Sequence, residues 1–398
     1  MLLRGPELNN LARQYWLEDQ PAMALAWARW AVRSQAWPDG RIHPNALRTL
    51  AHVLIDHGRF REAEALYRQS DPNHCAPVAL LGRALACEGL ERFSLAAELA
   101  EARFRLPTLP EGALHCPHWQ GWPDAETITI WDEQGFGDTI QHSRWLPALL
   151  NQSPLVTLAV RSPLVRLMRE GFRRLGPRLK VVDRADCVWI GCHGSLLSLR
   201  WRLQSSLAPQ APGPVEGWLR LPEPVEADVS RLRIGLIWAA GRYSDSAYLQ
   251  REATKKSLPL TALKVLVNAL SAEPCDLVCL QIGPDRDDAD ALNLGWHEAL
   301  APDADFLELG QTMKRCDLII TVDTAAAHLA GALGIPGWVL LPWAAAARWG
   351  RDSQTTTLYR SLRLFRQERP RDWTSVIAAV HAALRRWSPP LQFEQPQT

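Results

Sequence analysis

The sequence has no long hydrophobic segment. No run of about eighteen apolar residues occurs, and the best candidate, residues 337–347, is interrupted by Pro342. The opening residues, MLLRGPELNN, contain no apolar stretch of the kind found in a secretory signal. We therefore expect a cytoplasmic protein without a transmembrane segment.

The sequence also lacks a CxxC motif and a large net charge. The eight cysteines contain no CxxC pair, and we expect buried thiols in a reducing compartment. The 44 basic and 43 acidic side chains leave a net charge of +1, which gives no electrostatic reason to expect a nucleic-acid partner. A chain of 398 residues, 47% of them hydrophobic, is too long for one core, so we expect two or three folded domains.

The first part of the chain has apolar residues at helical spacing. The predicted helices cover residues 21–34, 44–57, 60–69, 78–88 and 92–105. Gly58 and Gly89 are predicted to follow helix ends. The pattern Phe-x-x-Ala-x-x-Leu at Phe60 recurs at Phe93, 33 residues later, which is typical of the tetratricopeptide repeat. We predict tetratricopeptide-like helical repeats over residues 1–110, with an irregular helical bundle as the alternative.

From Thr127 onward, short β-rich runs alternate with amphipathic helices, which is typical of parallel sheets with helices on both faces. Proline- and glycine-rich segments at residues 106–124 and 209–225 divide the chain further. We predict an α/β protein with two Rossmann-like lobes, at residues 111–225 and 226–390, and a tail at 391–398. The predicted strands are residues 127–131, 156–160, 180–182, 188–190, 233–238, 276–282, 318–322, 338–341 and 361–365.

The first predicted strand is followed by the turn DEQGFGD, residues 132–138. Its glycines allow a tight turn and a close approach of the backbone to another group. Asp138 stands before the helix predicted for residues 139–150. It either caps this helix or presents a carboxylate at the carboxyl end of a strand, where open α/β sheets bind ligands. The two roles are compatible.

A second turn follows the strand at residues 318–322. Asp323 and Thr324 are predicted to cap a helix that begins at Ala325. Because the first helical turn carries only alanines, its free N–H groups and the positive end of the helix dipole are suited to a phosphate. His328 lies one turn after Thr324 on the same side, and is either a core histidine or a ligand contact.

A third strand, IGLIWAAG, ends at Gly241 and leads into the polar residues 242–257. This stretch contains Lys255 and Lys256. A basic loop after a central strand suits phosphate neutralisation, and a solvated surface loop is the alternative.

These motifs resemble a known family. Residues 317–336, DLIITVDTAAAHLAGALGIP, resemble the donor-site signature of the heptosyltransferase-like (family 9) glycosyltransferases, whose GT-B fold consists of two Rossmann-like lobes. EQGFGDTIQ resembles their amino-terminal glycine-rich turn, and IGLIWAAG, LQIG and WVLLP follow in the expected order. With helical repeats in front, the chain resembles bacterial tetratricopeptide-repeat proteins fused to such a domain.

The resemblance implies roles for individual residues. Asp138 is the expected general base, and Glu133 is expected to orient the acceptor or the glycine loop. The first lobe would then face the acceptor and the second lobe the nucleotide-sugar donor. The residues expected to bind the donor and its phosphates are Gly137, Gly241, Lys255 or Lys256, Gln281, Asp323, Thr324, Ala325 and His328.

The predicted function is an inverting, metal-independent glycosyltransferase that takes a nucleotide-diphosphate sugar as substrate and needs no cofactor. Its expected acceptor is a protein or peptide recruited by the helical repeats. The alternative is a non-catalytic scaffold in which the repeats and a degenerate transferase fold bind a protein partner. A dehydrogenase is disfavoured because the GxGxxG fingerprint is incomplete.

The sequence contains two groups of candidate metal ligands. His115, Cys116 and His118 have no second ligand cluster nearby in sequence, and we expect an ordinary loop. The acidic residues 285–290 contain a nominal DxD, but such a charge run is typical of a solvated helix. We therefore predict no metal ligand.

Overall fold

The computed structural model describes most of the chain. The predicted boundaries at residues 110 and 225 and the predicted tail at 391–398 lie outside the described residues, as do large parts of the two proline- and glycine-rich segments. The described residues are 4–34, 42–106, 115–122, 125–203, 217–223, 231–242, 246–351 and 353–389.

The amino-terminal region is built from helices that pack in sequence order, each on the next. Several begin with a proline, which the first turn tolerates because its N–H group has no partner within the helix. The predicted helices are confirmed, and one further helix precedes them. The helices are α1 (Gly5–Leu17), α2 (Pro21–Arg33), α3 (Pro44–Asp56), α4 (Phe60–Ser70), α5 (Pro77–Gly89) and α6 (Phe93–Ala100), followed by a 3₁₀ turn at Glu101–Arg105.

The two predicted helix-ending glycines differ in role. Gly58 follows α3 with φ +69°, as predicted. Gly89 is instead the last residue of α5, and a methyl group there would come within 2.6 Å of the Phe60 ring. Gly89 thus ends a helix as predicted, but it lies inside the helix and is not its C′ residue, and its missing side chain serves the packing of α4 on α5. The two Phe-x-x-Ala-x-x-Leu copies begin α4 and α6, the second helices of consecutive pairs. Their assignment to tetratricopeptide repeats stays a prediction.

The first lobe contains a four-stranded parallel sheet in the order β3-β2-β1-β4. The predicted strand at residues 188–190 was wrong, since Val188 and Ile190 are exposed and the strand begins at Cys192. Gly191 makes the turn into it with φ +70° and leaves no room for a side chain beside the Thr127 carbonyl. The strands are β1 (Thr127–Trp131), β2 (Leu155–Val160), β3 (Leu179–Asp183) and β4 (Cys192–Ser195).

The one helix predicted in the first lobe is divided in the structure. The helix expected at residues 139–150 begins earlier and is divided by a 3₁₀ turn, Ser143–Trp145, because Pro147 favours a new helix start. The helices are α7 (Phe136–His142), α8 (Leu146–Leu150), α9 (Ser162–Gly171) and α10 (Leu199–Arg202).

The second lobe contains a six-stranded parallel sheet in the order β10-β9-β8-β5-β6-β7. Counted from its own first strand this is the doubly wound order 3-2-1-4-5-6, which reverses direction between β5 and β8. Its strands are β5 (Leu232–Ile237), β6 (Cys275–Cys279), β7 (Glu298–Ala299), β8 (Leu318–Val322), β9 (Gly337–Leu341) and β10 (Leu362–Arg366). Its helices are α11 (Ala247–Lys256), α12 (Leu260–Ser271), α13 (Pro284–Asp290), α14 (Phe306–Met313), α15 (Ala325–Leu333) and α16 (Trp373–Leu384). The predicted α/β fold with an amino-terminal helical region is confirmed.

The lobes and the helical region pack against one another. Helix α7 contacts α15 and α9 contacts α14, so one hydrophobic core runs through both lobes. The helical region is attached to the second lobe by Arg251, whose guanidinium lies 2.5 Å from Asp56 and 4.2 Å from the centre of the Trp16 ring. No helix of the described residues has both the length and the apolar character to span a membrane.

Candidate functional site

The second lobe places two loops at its topological switch point. Residues 238–241 follow β5 and Asp323 follows β8, and these two strands are neighbours in the sheet. In open α/β sheets the crevice at this point, outside the carboxyl ends of the strands, is where ligands bind. The motifs predicted from sequence on β5 and β8 therefore meet at one edge.

Helix α15 begins with an accessible amino-terminal turn. Thr324 is its N-cap and accepts a hydrogen bond of 3.3 Å from the Ala326 amide at Oγ1, as predicted. Gly334 ends the helix with φ +74°. Thr324 and Ala325 are half-buried, so the positive end of the helix dipole can reach a bound anion.

Only one of the two candidate lysines lies at this turn. Lys256 Nζ is 3.1 Å from Asp323 Oδ2. Burial opposes the charge of Lys256 most strongly, but the Asp323 and Glu252 carboxylates together outweigh burial and raise the pKa of the lysine. Lys255 instead bonds Glu252 at 2.6 Å and is 6% exposed. The sequence could not choose between them, and the structure brings Lys256 to the site.

The glycine-rich turn of the first lobe lies directly on α15. A methyl group at Gly137 would be 2.7 Å from His328 Cδ2 and 3.3 Å from Ala325 Cα. Only glycine therefore allows α7 to approach α15 this closely. The two turns singled out in the sequence face each other and are in contact.

Asp138 is the third residue of α7, not the residue before it as predicted. Its Oδ2 accepts a hydrogen bond of 3.0 Å from the Gly135 amide, so it does cap the helix. Its Oδ1 accepts a hydrogen bond of 2.8 Å from Arg348, which also donates to Gln141 Oε1 at 2.8 Å. Burial alone would raise the pKa of Asp138, but the opposing influences, of which the charge and hydrogen bond of Arg348 are the largest, lower the pKa to about 2.

Arg348 was missed in the sequence. It lies in the 3₁₀ turn Ala347–Trp349 after β9, and this turn also contacts α5 of the helical region. Burial would lower the pKa of Arg348, yet Asp138, Glu88 and Asp323 together raise it. These carboxylates come from the first lobe, the helical region and the second lobe. No local motif marks this arginine, and its only sequence signal is its place in the loop after a parallel strand.

His328 belongs to a buried aromatic cluster. Its Nδ1 lies 2.7 Å from the Tyr359 hydroxyl, and its ring stacks on Trp349 with centroids 5.4 Å apart. Burial, with Arg348 adding to it, lowers the pKa of His328 to about 3, so the imidazole is neutral. The sequence left His328 as either a core histidine or a ligand contact. Its surroundings are those of a core histidine, and its ring packs against Gly137 where the two turns meet.

Glu133 lies apart from the other predicted residues. Its carboxylate is bound by Arg103 of the helical region at 2.8 Å and by the Ser195 hydroxyl. Ser195 ends β4, so this cluster occupies the crevice between β1 and β4, which is the switch point of the first lobe. The carboxylate is thus already paired within the chain, and its role toward an acceptor stays a prediction.

Gln281 and Gly241 shape the loop after β5. Gln281 Oε1 accepts hydrogen bonds from the amides of Trp238 at 3.2 Å and Ala239 at 3.0 Å, which holds this loop in place. Gly241 is exposed beside it. Arg242, the next residue, pairs with Asp285 at 3.0 Å, so the nominal DxD begins with a surface ion pair.

Several solved structures are similar to this chain at low identity. A family 9 glycosyl transferase from Veillonella parvula shares 13% identity, with 61% of this chain and 86% of that chain covered and a TM-score of 0.42. Heptosyltransferase II of E. coli shares 13%, with 66% and 100% covered and a TM-score of 0.42. The iron-containing dodecameric glycosyltransferase TibC from enterotoxigenic E. coli shares 11%, with 66% and 77% covered and a TM-score of 0.44. Each of these similarities is weak.

The comparison with protein families is more specific. No curated protein sequence matches the chain significantly. Residues 251–340 match the model of glycosyltransferase family 9 (heptosyltransferase). This segment contains Lys256, Gln281 and the whole of β8 and α15, which form the donor side of the predicted site. The prediction of a glycosyltransferase is confirmed by this match.

Proposed function

We propose that the chain transfers a sugar from a nucleotide-diphosphate donor to an acceptor hydroxyl with inversion at the anomeric carbon. The observation that carries this proposal is the contact between the glycine turn of the first lobe, which holds Asp138, and the amino-terminal turn of α15 on the second lobe. A carboxylate able to take a proton and a cationic turn able to hold a diphosphate lie side by side, which is what sugar transfer requires.

The donor diphosphate is assigned to Thr324, Ala325 and Lys256. The helix dipole and the lysine would stabilise the negative charge that the leaving diphosphate gathers while the sugar becomes oxocarbenium-like. With Arg348 nearby, three sources of positive charge converge on this point. They support a reaction without a metal ion or a cofactor.

In the proposed step, the acceptor oxygen forms a bond to the anomeric carbon while the bond from that carbon to the diphosphate oxygen breaks. The bonding electron pair leaves with the diphosphate, and Asp138 takes the acceptor proton. Because this is one displacement, the anomeric configuration inverts.

Arg348 links the two halves of this mechanism. While it bonds Asp138, the carboxylate has a pKa of about 2 and is a poor base. A bound diphosphate carries more negative charge than one carboxylate and would draw the guanidinium toward itself. Donor binding would then release Asp138, so that the base becomes active only with the donor in place.

The same ion pair favours a second candidate function. If Arg348 stays on Asp138 when a nucleotide is bound, no base is available and the chain is a scaffold that binds nucleotides and partners without turnover. The two candidates differ in one property, which is sugar transfer or donor hydrolysis after nucleotide binding.

The acceptor is proposed to be a protein or peptide. Support comes from the position of the helical region, which contacts the second lobe through Arg251 and the first lobe through Arg103. A partner bound to the helical region would therefore lie close to both lobes. All eight cysteines are free thiols, which fits a protein that acts in the cytoplasm.

The test combines binding and turnover. Calorimetry with UDP, GDP and ADP should show binding of at least one diphosphate by the wild type and by Asp138→Asn. Transfer from the matching nucleotide sugar, measured with a chelator present, should fall by about 10²–10⁴-fold in Asp138→Asn and stay unchanged in the exposed control Asp303→Asn. If transfer persists in Asp138→Asn, this residue is only a cap. If the wild type binds no diphosphate, the proposal fails.

A further inference from the structure

A large cavity lies in the helical region, outside the site between the lobes. Its volume is about 810 Å³. Helices α1, α3 and α5, the first helices of the three consecutive pairs, supply most of its walls, and α11 of the second lobe contributes Tyr248. Each pair exposes the same face to the cavity, so the cavity forms a groove along the stacked helices.

The charge of this groove has one sign. Arg13 on α1 and Arg48 on α3 both line it, and none of its described lining residues is acidic. Arg48 bonds the Asn45 carboxamide, and neither arginine forms a salt bridge with another described residue. Two guanidinium groups without acidic partners favour carboxylates as ligands.

A buried polar group also lines the groove. Asn9 is 7% exposed, and its Oδ1 receives no hydrogen bond from any described residue. A buried acceptor without a donor is unfavourable, on the order of 1–3 kcal/mol. A rotation of the Asn9 side chain toward the groove would let Oδ1 accept a hydrogen bond from the backbone N–H group of a bound peptide.

The opposite wall of the groove is apolar. Val78 and Leu85 of α5 are 61% and 40% exposed, and Tyr248 stacks on Trp16 at 5.7 Å where the groove meets the second lobe. An oligonucleotide would need a row of cations along its backbone, whereas this groove pairs two cations with an apolar wall. That combination fits a peptide that carries both acidic and apolar side chains.

We propose that this groove binds an extended acidic segment of a protein partner. Arg13 and Arg48 would bind its carboxylates, Asn9 its backbone, and the α5 wall its apolar side chains. Binding of the acidic segment to the groove does not depend on the proposed sugar transfer. The identification of this segment as part of the acceptor does rest on the proposed function. Helix α5, which supplies the apolar wall, also carries Glu88 beyond the groove, and the charge of Glu88 acts on Arg348.

The test uses a short fluorescein-labelled peptide of alternating glutamate and leucine, with a lysine–leucine peptide of equal length as the control. Fluorescence anisotropy should show tighter binding of the acidic peptide to the full chain. The double variant Arg13→Glu/Arg48→Glu should weaken it about tenfold or more and reverse the preference toward the lysine peptide. The matched control is Arg29→Glu/Arg33→Glu, which reverses two exposed arginines of α2 outside the groove.

Three results would overturn the proposal: no binding of either peptide, equal binding of both, or the same loss in the α2 control. Thermal unfolding of each variant checks that it folds. Nucleotide-diphosphate binding, measured in parallel, separates this proposal from the transferase function. If the chain binds the acidic peptide but no nucleotide, the groove proposal is supported and the proposed transfer is contradicted. If it binds a nucleotide but not the acidic peptide, the groove proposal is contradicted and the proposed transfer remains.

Discussion

The Arg348 guanidinium of the second lobe lies 2.8 Å from Asp138 Oδ1 of the first lobe. The two residues are far apart in sequence. The carboxylates of Asp323 and of Glu88, which belongs to the helical region, also raise the pKa of Arg348. Carboxylates from the three parts of the chain therefore act on the charge of this one arginine, where the glycine turn meets α15. In the proposed mechanism, the position of this guanidinium decides whether Asp138 can act as a base.

Replacing this arginine should impair transfer and shift its pH dependence. In Arg348→Gln we expect kcat to fall by about 10²–10³-fold, because a positive charge aimed at the leaving group is lost. The pKa of Asp138, now about 2, should rise, and the acidic limb of the kcat/KM profile should move to higher pH. Arg348→Lys should recover part of the rate, since it restores the charge.

The control for this change is Arg360→Gln, which removes an exposed arginine of the same lobe. Its rate and pH profile should equal those of the wild type. A profile in Arg348→Gln that is unchanged in both height and position would show that the ion pair has no part in the reaction.

The local parts of this site could be predicted from sequence, and its long-range parts could not. The β8 turn and α15 were predicted because capping residues, alanines and a terminal glycine lie within one short segment. The strand prediction for residues 188–190 was wrong because an apolar run has the same pattern whether it is buried or exposed. In the structure these residues precede the turn at Gly191, and Val188 and Ile190 are exposed. Arg348 reaches Asp138 only through tertiary packing, so no pattern around it could show the contact.

The two adjacent lysines should differ in their effect on nucleotide binding. Lys256→Met removes the ammonium beside Asp323 and should weaken diphosphate binding about tenfold or more, as expected for loss of a charged hydrogen bond. Lys255→Met should leave the affinity unchanged, because this side chain pairs with Glu252, which keeps Arg251 as a partner. Calorimetry on both variants decides the matter. Equal losses, or a larger loss in Lys255→Met, would contradict the assignment.

The close contact between the two turns should depend on a missing side chain. In Gly137→Ala the new methyl group meets His328 at 2.7 Å, and we expect a loss of roughly 1–3 kcal/mol in the free energy of unfolding together with reduced transfer. Gly194→Ala is the matched control, since its methyl group would lie 3.4 Å from Ile130 Cδ1, an ordinary contact. Urea titrations should separate the two, and identical stabilities would show that α7 and α15 can move apart without loss.

The buried histidines at this contact should make the protein sensitive to mild acid. Burial lowers the pKa of His142 and of His328 from 6.5 to about 3. Between these values the unfolded chain binds more protons than the folded one, so stability is intact above about pH 6.5 and falls as the pH falls. The expected slope is about 1 kcal/mol per pH unit for each histidine. The Asp138 carboxylate does not obscure this window, because its stabilising charge is lost only as pH falls from 3.8 toward 2.

Urea unfolding at pH 7, 6 and 5 measures that slope. His142→Gln should reduce it by about 1 kcal/mol per pH unit, because the imidazole at this position is removed. His297→Gln, at an exposed position, should leave the slope as in the wild type. If His142→Gln and the wild type lose stability equally between pH 7 and 5, the imidazole is not held neutral in the fold, and acid must act through other groups.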